Sequence, residues 1–244
     1  MPEWLFAKPP TRLLPAPPAA THQYHPAIAM NPRETIDLLC KCGVVPVIRY
    51  DNADDGALAI ECALRAGFPT VEITLTMPDA VELIREFTRR AEKHQVIGAG
   101  TVWNEADCER VLDAGAGYVV SPGLVPGLGQ LVRDSKKAAY LPGAMTPSEI
   151  AGALRDGADA VKLFPAATIG PGLLKAVKAV FPGTRFCPTG GITADNMEHW
   201  FNAGAAFVGI GSTLFQTSTI KAREQNKLVE EARLVLDQLR LISR

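Results

Sequence analysis

From residue 32 onward, short apolar runs alternate with amphipathic stretches in a regular rhythm. The runs VVPVIRY, TVEITL, QVIGAG, YVVSPG, AYLPGA, AVKLFP, RFCPTGG and FVGIGS begin at Val44, Thr70, Gln95, Tyr118, Ala139, Ala160, Arg185 and Phe207. Each is too short for a helix and rich in apolar or β-branched residues, so each predicts a buried strand. The stretches between them carry a helical period. In DAVELIREFTRRAEK, for example, Val81, Ile84, Phe87 and Ala91 fall on one stripe. Gly67, Gly115, Gly157 and Gly204 stand just before the following strands, where a left-handed residue closes a helix.

Continuously apolar strands alternating with helices imply a parallel sheet covered on both faces. Eight such units at even spacing, with no second domain left over, predict an α/β fold, a single (β/α)8 TIM barrel. An open doubly wound sheet is the competing topology. Thr35-Ile-Asp-Leu-Leu predicts a short N-terminal helix before the first strand, and KAREQNKLVEEARLVLDQLR predicts one amphipathic helix at the end. Thr193-Ala-Asp-Asn reads as the start of the helix after the seventh strand.

Residues 1–29 break the rhythm, because proline occupies positions 2, 9, 10, 15, 17, 18 and 26. Such a segment cannot bury enough surface to offset its ordering entropy, so it is expected to be a disordered tail. It lacks the apolar centre of a secretory signal, and Lys8 and Arg12 alone make a poor transit peptide. Met30 is an alternative start, and 30–244 is read as the one folded domain.

Charge and composition narrow the partners. The 25 Lys+Arg against 26 Asp+Glu leave a net charge of −1, which argues against a nucleic-acid partner. No apolar stretch is long enough for a membrane span. The five cysteines are scattered without metal spacing, so they read as reduced thiols of a cytoplasmic protein. With only 4 His, two of them in the tail, histidine-based metal chemistry starts at a disadvantage, and no metal is expected. Outside the tail, Gly and Pro gather at the ends of the runs. In a barrel these ends build the active site.

Two charges interrupt those apolar runs. Lys162 within AVKLFP and Glu72 within TVEITL fall where charged side chains are rarely buried without a partner or a function. Desolvation favours the neutral amine of a buried lysine, and a neutral amine can attack a ketone to form a Schiff base. Glu72 could then move protons as a general acid/base. The plainer alternative is a structural ion pair between the two. Gly190 and Gly191 after the seventh run, with Gly211 and Ser212 after the eighth, fit the place where barrels of this kind bind a phosphate. Packing turns are the alternative there. Phe164 stands near enough to shield the lysine, Trp103 is placed at the rim, and Trp200 reads as core. His199 reads as a surface helix residue rather than a base.

Taken in order, PVIR, VEITLT, IGAGTV, SPG, PG, VKLFPA, FCPTGGI and GIGS resemble the family of 2-keto-3-deoxy-6-phosphogluconate aldolase and 4-hydroxy-2-oxoglutarate aldolase, from about Val44 to Phe215. The resemblance implies a class I aldolase without cofactors, a small 2-keto acid as substrate and a homotrimer. It makes Lys162 the Schiff-base lysine and Glu72 the proton-transfer carboxylate. Arg49, Thr101, Pro122, Phe164 and Thr189 match the family's pyruvyl pocket, and Gly190, Gly191, Gly211 and Ser212 match its phosphate site.

One position departs from the family pattern: Thr76 stands where many members carry an arginine for the substrate carboxylate. Arg49 could supply that cation, since a guanidinium binds a carboxylate bidentately. Cleavage of the phosphorylated gluconate derivative to pyruvate and glyceraldehyde 3-phosphate is the leading reading. Cleavage of 4-hydroxy-2-oxoglutarate or another 2-keto-3-deoxy sugar acid is the alternative, with a galactonate-type preference ranked lower because of FCPTGGI. A non-catalytic phosphosugar-binding barrel is a distant third.

Overall fold

The computed structural model describes residues 30–242, so the reading of residues 1–29 as a tail lies outside the described residues. Helix α1 spans Pro32–Cys42, longer than the short helix expected at Thr35–Leu39, because Pro32 begins it and Asn31 caps it in a reciprocal box with Glu34. The strands are β1 Val44–Ile48, β2 Thr70–Thr74, β3 Val96–Gly100, β4 Tyr118–Val120, β5 Ala139–Leu141, β6 Gly143–Ala144, β7 Val161–Leu163, β8 Phe186–Pro188 and β9 Val208–Ile210. The helices between and after them are α2 Ala53–Ala66, α3 Ala80–Arg90, α4 Glu105–Asp113, α5 Leu128–Ser135, α6 Pro147–Arg155, α7 Ala166–Val180, α8 Met197–Asn202, α9 Thr217–Lys221 and α10 Gln225–Arg240.

Every strand pair is parallel. The strands form a six-stranded sheet in the order β5-β4-β3-β2-β1-β9 and a three-stranded sheet β6-β7-β8. A single parallel bridge, Thr189 to Gly209, joins β8 to β9. The fifth run, expected as one strand, is divided at Pro142. Proline has no N–H for the ladder, although its carbonyl still accepts from the Lys162 amide at 2.9 Å.

Three further expectations need correction. The terminal amphipathic helix, expected from Lys221, begins only at Gln225, because Arg223 takes a left-handed φ of 54° between α9 and α10, and its guanidinium lies 3.4 Å from Asp55. Thr193 does not begin a helix: Thr193 and Asn196 bond each other in a turn, and α8 starts only at Met197. The α3 stripe buries Val81, Ile84 and Phe87, but the helix ends before Ala91. Gly67, Gly115, Gly157 and Gly204 all adopt positive φ, as a helix-closing glycine should.

Strand parity sorts the core into two layers. Val71, Ile73, Val119, Tyr140, Val161, Leu163, Val208 and Ile210 point outward into the large cluster shared with the helices, where Trp200 is also buried. Val45, Val96, Tyr118, Val120, Ala139, Leu141 and Cys187 point inward and form a second cluster with Ile36 and Leu39 of α1. Helix α1 thus packs its apolar side against the inner face. The same parity turns Glu72 and Lys162 inward, each flanked by outward-facing apolar residues.

Candidate active site

Glu72 lies in the middle of β2 and Lys162 in the middle of β7, and both are nearly sealed, at 4 % and 5 % exposure. Their inward direction brings Lys162 Nζ to 3.4 Å from Glu72 Oε1, across 90 positions of sequence. Neighbouring glycines make this approach possible. A Cβ on Gly100 would stand 2.2 Å from Glu72 Oε1, and one on Gly98 would stand 2.1 Å from the Tyr118 ring. Glu72, Gly98 and Tyr118 share one row across β2, β3 and β4. The Tyr118 hydroxyl is 2.9 Å from Thr70 Oγ1 beneath the carboxylate. Burial, with the Glu72 charge acting in the same direction, pushes the Tyr118 phenol well above its ordinary value and keeps it neutral.

Above the pair, the remaining residues sit at the carboxyl ends of the strands. The Phe164 ring centroid is 5.4 Å from Lys162 Nζ, so the ring screens the amine as its sequence position suggested. Arg49 follows β1, and its Nη2 donates to Thr101 Oγ1 at 3.2 Å. Thr76 extends β2, with its hydroxyl 3.2 Å from that of Thr74. Thr189, buried at the end of β8, packs where a Cβ on Gly209 would be 2.5 Å from its Oγ1. Beside it, burial pushes the Cys187 thiol up to about 12, leaving it unreactive at neutral pH. The Pro122 carbonyl lies where a Cβ on Gly143 would be 2.2 Å from it, and Trp103 is 56 % exposed at the rim.

The two glycine-bearing loops also meet. Gly190 and Gly191 adopt φ of 97° and 79°, and Asn196 donates to the Gly191 carbonyl at 2.9 Å. Thr213 donates to the Ile192 carbonyl at 2.9 Å, tying the loop of Gly211 and Ser212 to the loop of Gly190 and Gly191. This cradle is made from left-handed turns, not from the helix N-terminus expected at Thr193. His199 is exposed on α8, away from the pair. Among the described residues, no group of three or more His, Cys, Asp or Glu side chains gathers where it could hold a metal ion. None of their helices is long and apolar enough to cross a membrane.

An amine and a carboxylate in contact among buried side chains can do specific chemistry. The amine can add to a carbonyl, and the carboxylate can relay the protons that this addition requires. Sequence reasoning did not single out Gly98, Gly100, Tyr118 and Thr74 individually. The available signal was the alternation in IGAG, which leaves the last two inward positions of β3 without a side chain.

The sequence profile described as KDPG and KHG aldolase matches residues 36–230. A 2-dehydro-3-deoxy-phosphogluconate aldolase of Pseudomonas aeruginosa is 38% identical over 167 residues, covering 68% of this chain and 75% of that protein. A probable 2-dehydro-3-deoxy-6-phosphogalactonate aldolase of Rhizobium meliloti is 31% identical over 174 residues, covering 71% and 82%. Among solved structures, the KDPG aldolase of Legionella pneumophila, with pyruvate captured as a covalent carbinolamine, superposes with a TM-score of 0.74 at 31% identity. That match covers 82% of this chain and 97% of the other.

Proposed function

The chain belongs to the KDPG and KHG aldolase family, and from that premise we propose that it is a class I aldolase acting through a Schiff base on Lys162, with 2-keto-3-deoxy-6-phosphogluconate as substrate. The observation that carries this reading is the buried 3.4 Å contact between Lys162 Nζ and Glu72 Oε1. A contact of that length is poor compensation for desolvating two charges, so a purely structural ion pair gives a weak account of it. A pair poised to exchange a proton gives a better one.

In the proposed reaction, Lys162 Nζ adds to the C2 ketone and water leaves to give an iminium. Glu72 gives a proton to the departing C2 oxygen and is left as the carboxylate. Arg49 holds the substrate carboxylate, with Thr101, Pro122, Phe164 and Thr189 shaping the pyruvyl pocket. Glu72 then takes the C4 hydroxyl proton, the C3–C4 bond breaks, and its electron pair flows into the iminium. Glyceraldehyde 3-phosphate departs and leaves the enamine of pyruvate. Protonation at C3 and hydrolysis release pyruvate and restore the amine. Gly190, Gly191, Gly211 and Ser212 anchor the 6-phosphate. No cofactor is required.

The architecture we infer is a single closed eight-stranded barrel over residues 30–244, with β5 and β6 as one strand and the Thr189–Gly209 bridge as its seam. Homotrimeric assembly and a cytoplasmic setting are what the family resemblance suggests. A galactonate-type preference is the second reading, supported by the Rhizobium meliloti relative and ranked higher than FCPTGGI alone would allow. 4-Hydroxy-2-oxoglutarate is the third.

Borohydride reduction in the presence of pyruvate, followed by peptide mass spectrometry, tests the mechanism: a reduced pyruvate adduct is expected on Lys162. Failure to label that lysine at saturating pyruvate would overturn the proposal. Comparing kcat/KM for the three substrates ranks the readings, and Ser212→Asp should depress only the phosphorylated ones.

A further inference from the structure

Two hydroxyls lie buried on the apolar inner face of the sheet. Tyr118 and Thr70 have no exposed surface, and Tyr118 belongs to the inner cluster of Val45, Val96, Val120 and Cys187. A buried hydroxyl is unfavourable without a partner, and each of these serves as the other's at 2.9 Å. A phenylalanine at 118 and a valine at 70 would fill the same space with no polar atom to satisfy. What the hydroxyl pair adds is a fixed orientation for the ring, since a satisfied buried pair specifies one geometry.

That orientation carries the side chain from β4 across β3 to β2. Tyr118 is in register with Gly98, and Gly98 with Glu72. Neighbouring strands are about 4.8 Å apart, so the phenol has to lie nearly flat to reach Thr70 over two such spacings. It does so through the place where a Cβ on Gly98 would stand. Thr70 is one inward step before Glu72, so the phenol ends beneath the carboxylate. On the far side of the carboxylate arm Gly100 contributes no side chain, and Lys162 Nζ reaches Oε1 at 3.4 Å. The Glu72 arm thus lies between two bare glycine positions, and the Tyr118 ring is the rigid surface that closes the space below it. Burial keeps the phenol neutral, so this surface brings no further charge to the Lys162–Glu72 contact.

We propose that Tyr118 is a positioning residue for Glu72: its ring, laid over Gly98 and anchored on Thr70, is the floor that keeps the carboxylate against Lys162 and out of the inner apolar layer. This rests on the reading of Glu72 as the proton-transfer group. The steps that depend on the floor are those in which Glu72 moves a proton. Binding of a 2-keto acid at the strand ends does not depend on it.

Exchange of the pyruvate methyl hydrogens in heavy water, followed by proton NMR, reads one such step. The Lys162 iminium loses a C3 proton to Glu72 and regains a deuteron by the same route, with no net reaction. Tyr118→Leu removes the ring and should lower the exchange rate at saturating pyruvate about 100-fold, the order expected for a catalytic group misplaced by an ångström. Half-saturation should stay within about twofold, the signature of an interaction that acts after binding. Tyr118→Phe keeps the ring and should bring exchange to within about fivefold of the parent, the worth of one neutral hydrogen bond. Tyr118→Met fills the space with a flexible chain, carries the same expectation as Tyr118→Leu, and serves in its place should that variant not fold. Leu39→Ala, cut from the layer below, is the control that destabilises the fold and should leave exchange unchanged. Full exchange in Tyr118→Leu or Tyr118→Met overturns the proposal. Tyr118→Phe as slow as Tyr118→Leu overturns it too, because the hydroxyl and not the ring would then be at work. A loss in Leu39→Ala as large as in Tyr118→Leu would make the ring one structural contact among many, and the proposal fails. Absence of any borohydride-trapped pyruvate on Lys162 in the unmodified protein is a different result, and sinks the aldolase reading itself.

Discussion

Single atoms set the reach of the Lys162–Glu72 pair, and Gly100 shows how narrow the margin is. A Cβ there would stand 2.2 Å from Glu72 Oε1, 2.8 Å from Cδ and 2.8 Å from Cγ, so the whole carboxylate arm would have to move. Gly100→Ala should therefore leave a folded protein whose kcat falls about 100-fold, the order expected when a catalytic group is displaced by roughly an ångström. Steady-state kinetics beside an unchanged far-ultraviolet circular dichroism spectrum would check this, and a variant with full kcat would show that Glu72 tolerates displacement. The two charged residues were legible in the sequence because a charge inside an apolar run violates the ordinary economics of burial. Gly100 was legible only as one of a strand-end cluster. Parity tells which face an absent side chain leaves bare, but the group that fills the space comes from another strand, and one-dimensional pattern does not encode that neighbour. Arg49 and Thr101 belong to the same class, since their 3.2 Å bond joins positions 52 residues apart.

Helices and strands were legible where local chemistry alone decides them. Asn52 and Asn104 cap α2 and α4 through the amides of Asp55 and Asp107, and each left-handed glycine closes its helix where the sequence placed it. Legibility failed where a contact from elsewhere intervenes, as at Pro142 in the fifth strand and at Arg223 beside Asp55 between α9 and α10. Helix α6 offers a test of the local kind. Glu149 accepts from the amides of Met145 at 2.9 Å and Thr146 at 2.7 Å, while Thr146 Oγ1 accepts from the Glu149 amide at 3.3 Å. The Met145 amide, and then the Thr146 hydroxyl, hold the Glu149 carboxyl below its ordinary value of 4.5. A depressed carboxylate contributes stability above the unfolded-state value and loses it as pH falls through the folded-state value. Glu149→Ala should cost about 1 kcal/mol near neutral pH, as loss of a cap does. The gap from the parent protein should then close as pH drops below 4.5. Urea unfolding at several pH values measures it, and a gap independent of pH would mean that the carboxylate charge contributes nothing.

Across the whole molecule, the inward faces of the strands form a column with different duties at its two ends. At the amino end, Ile36 and Leu39 of α1 join Val45, Val96, Ala139 and Phe207 in a sealed apolar layer. At the carboxyl end the same parity turns Glu72, Lys162 and Thr189 inward. Tyr118 shares the row of Glu72, with its ring over Gly98 and its hydroxyl on Thr70, so a fully buried side chain stands between the plug and the carboxylate. That layering predicts separability of stability from chemistry. Leu39 has no exposed surface, and Leu39→Ala should cost about 2–5 kcal/mol through lost transfer energy and the cavity left behind. Because the cavity opens below the Tyr118 layer, kcat and KM should match the parent at temperatures where the variant remains folded, while the urea midpoint falls. Tyr118→Phe would remove the hydroxyl bridge to Thr70 without opening a void, and should shift the stability curve less than Leu39→Ala does. Were Leu39→Ala to lower kcat well below its melting transition, Tyr118 would be transmitting strain from plug to pair, and the two ends of the column would have to be treated as one mechanical unit.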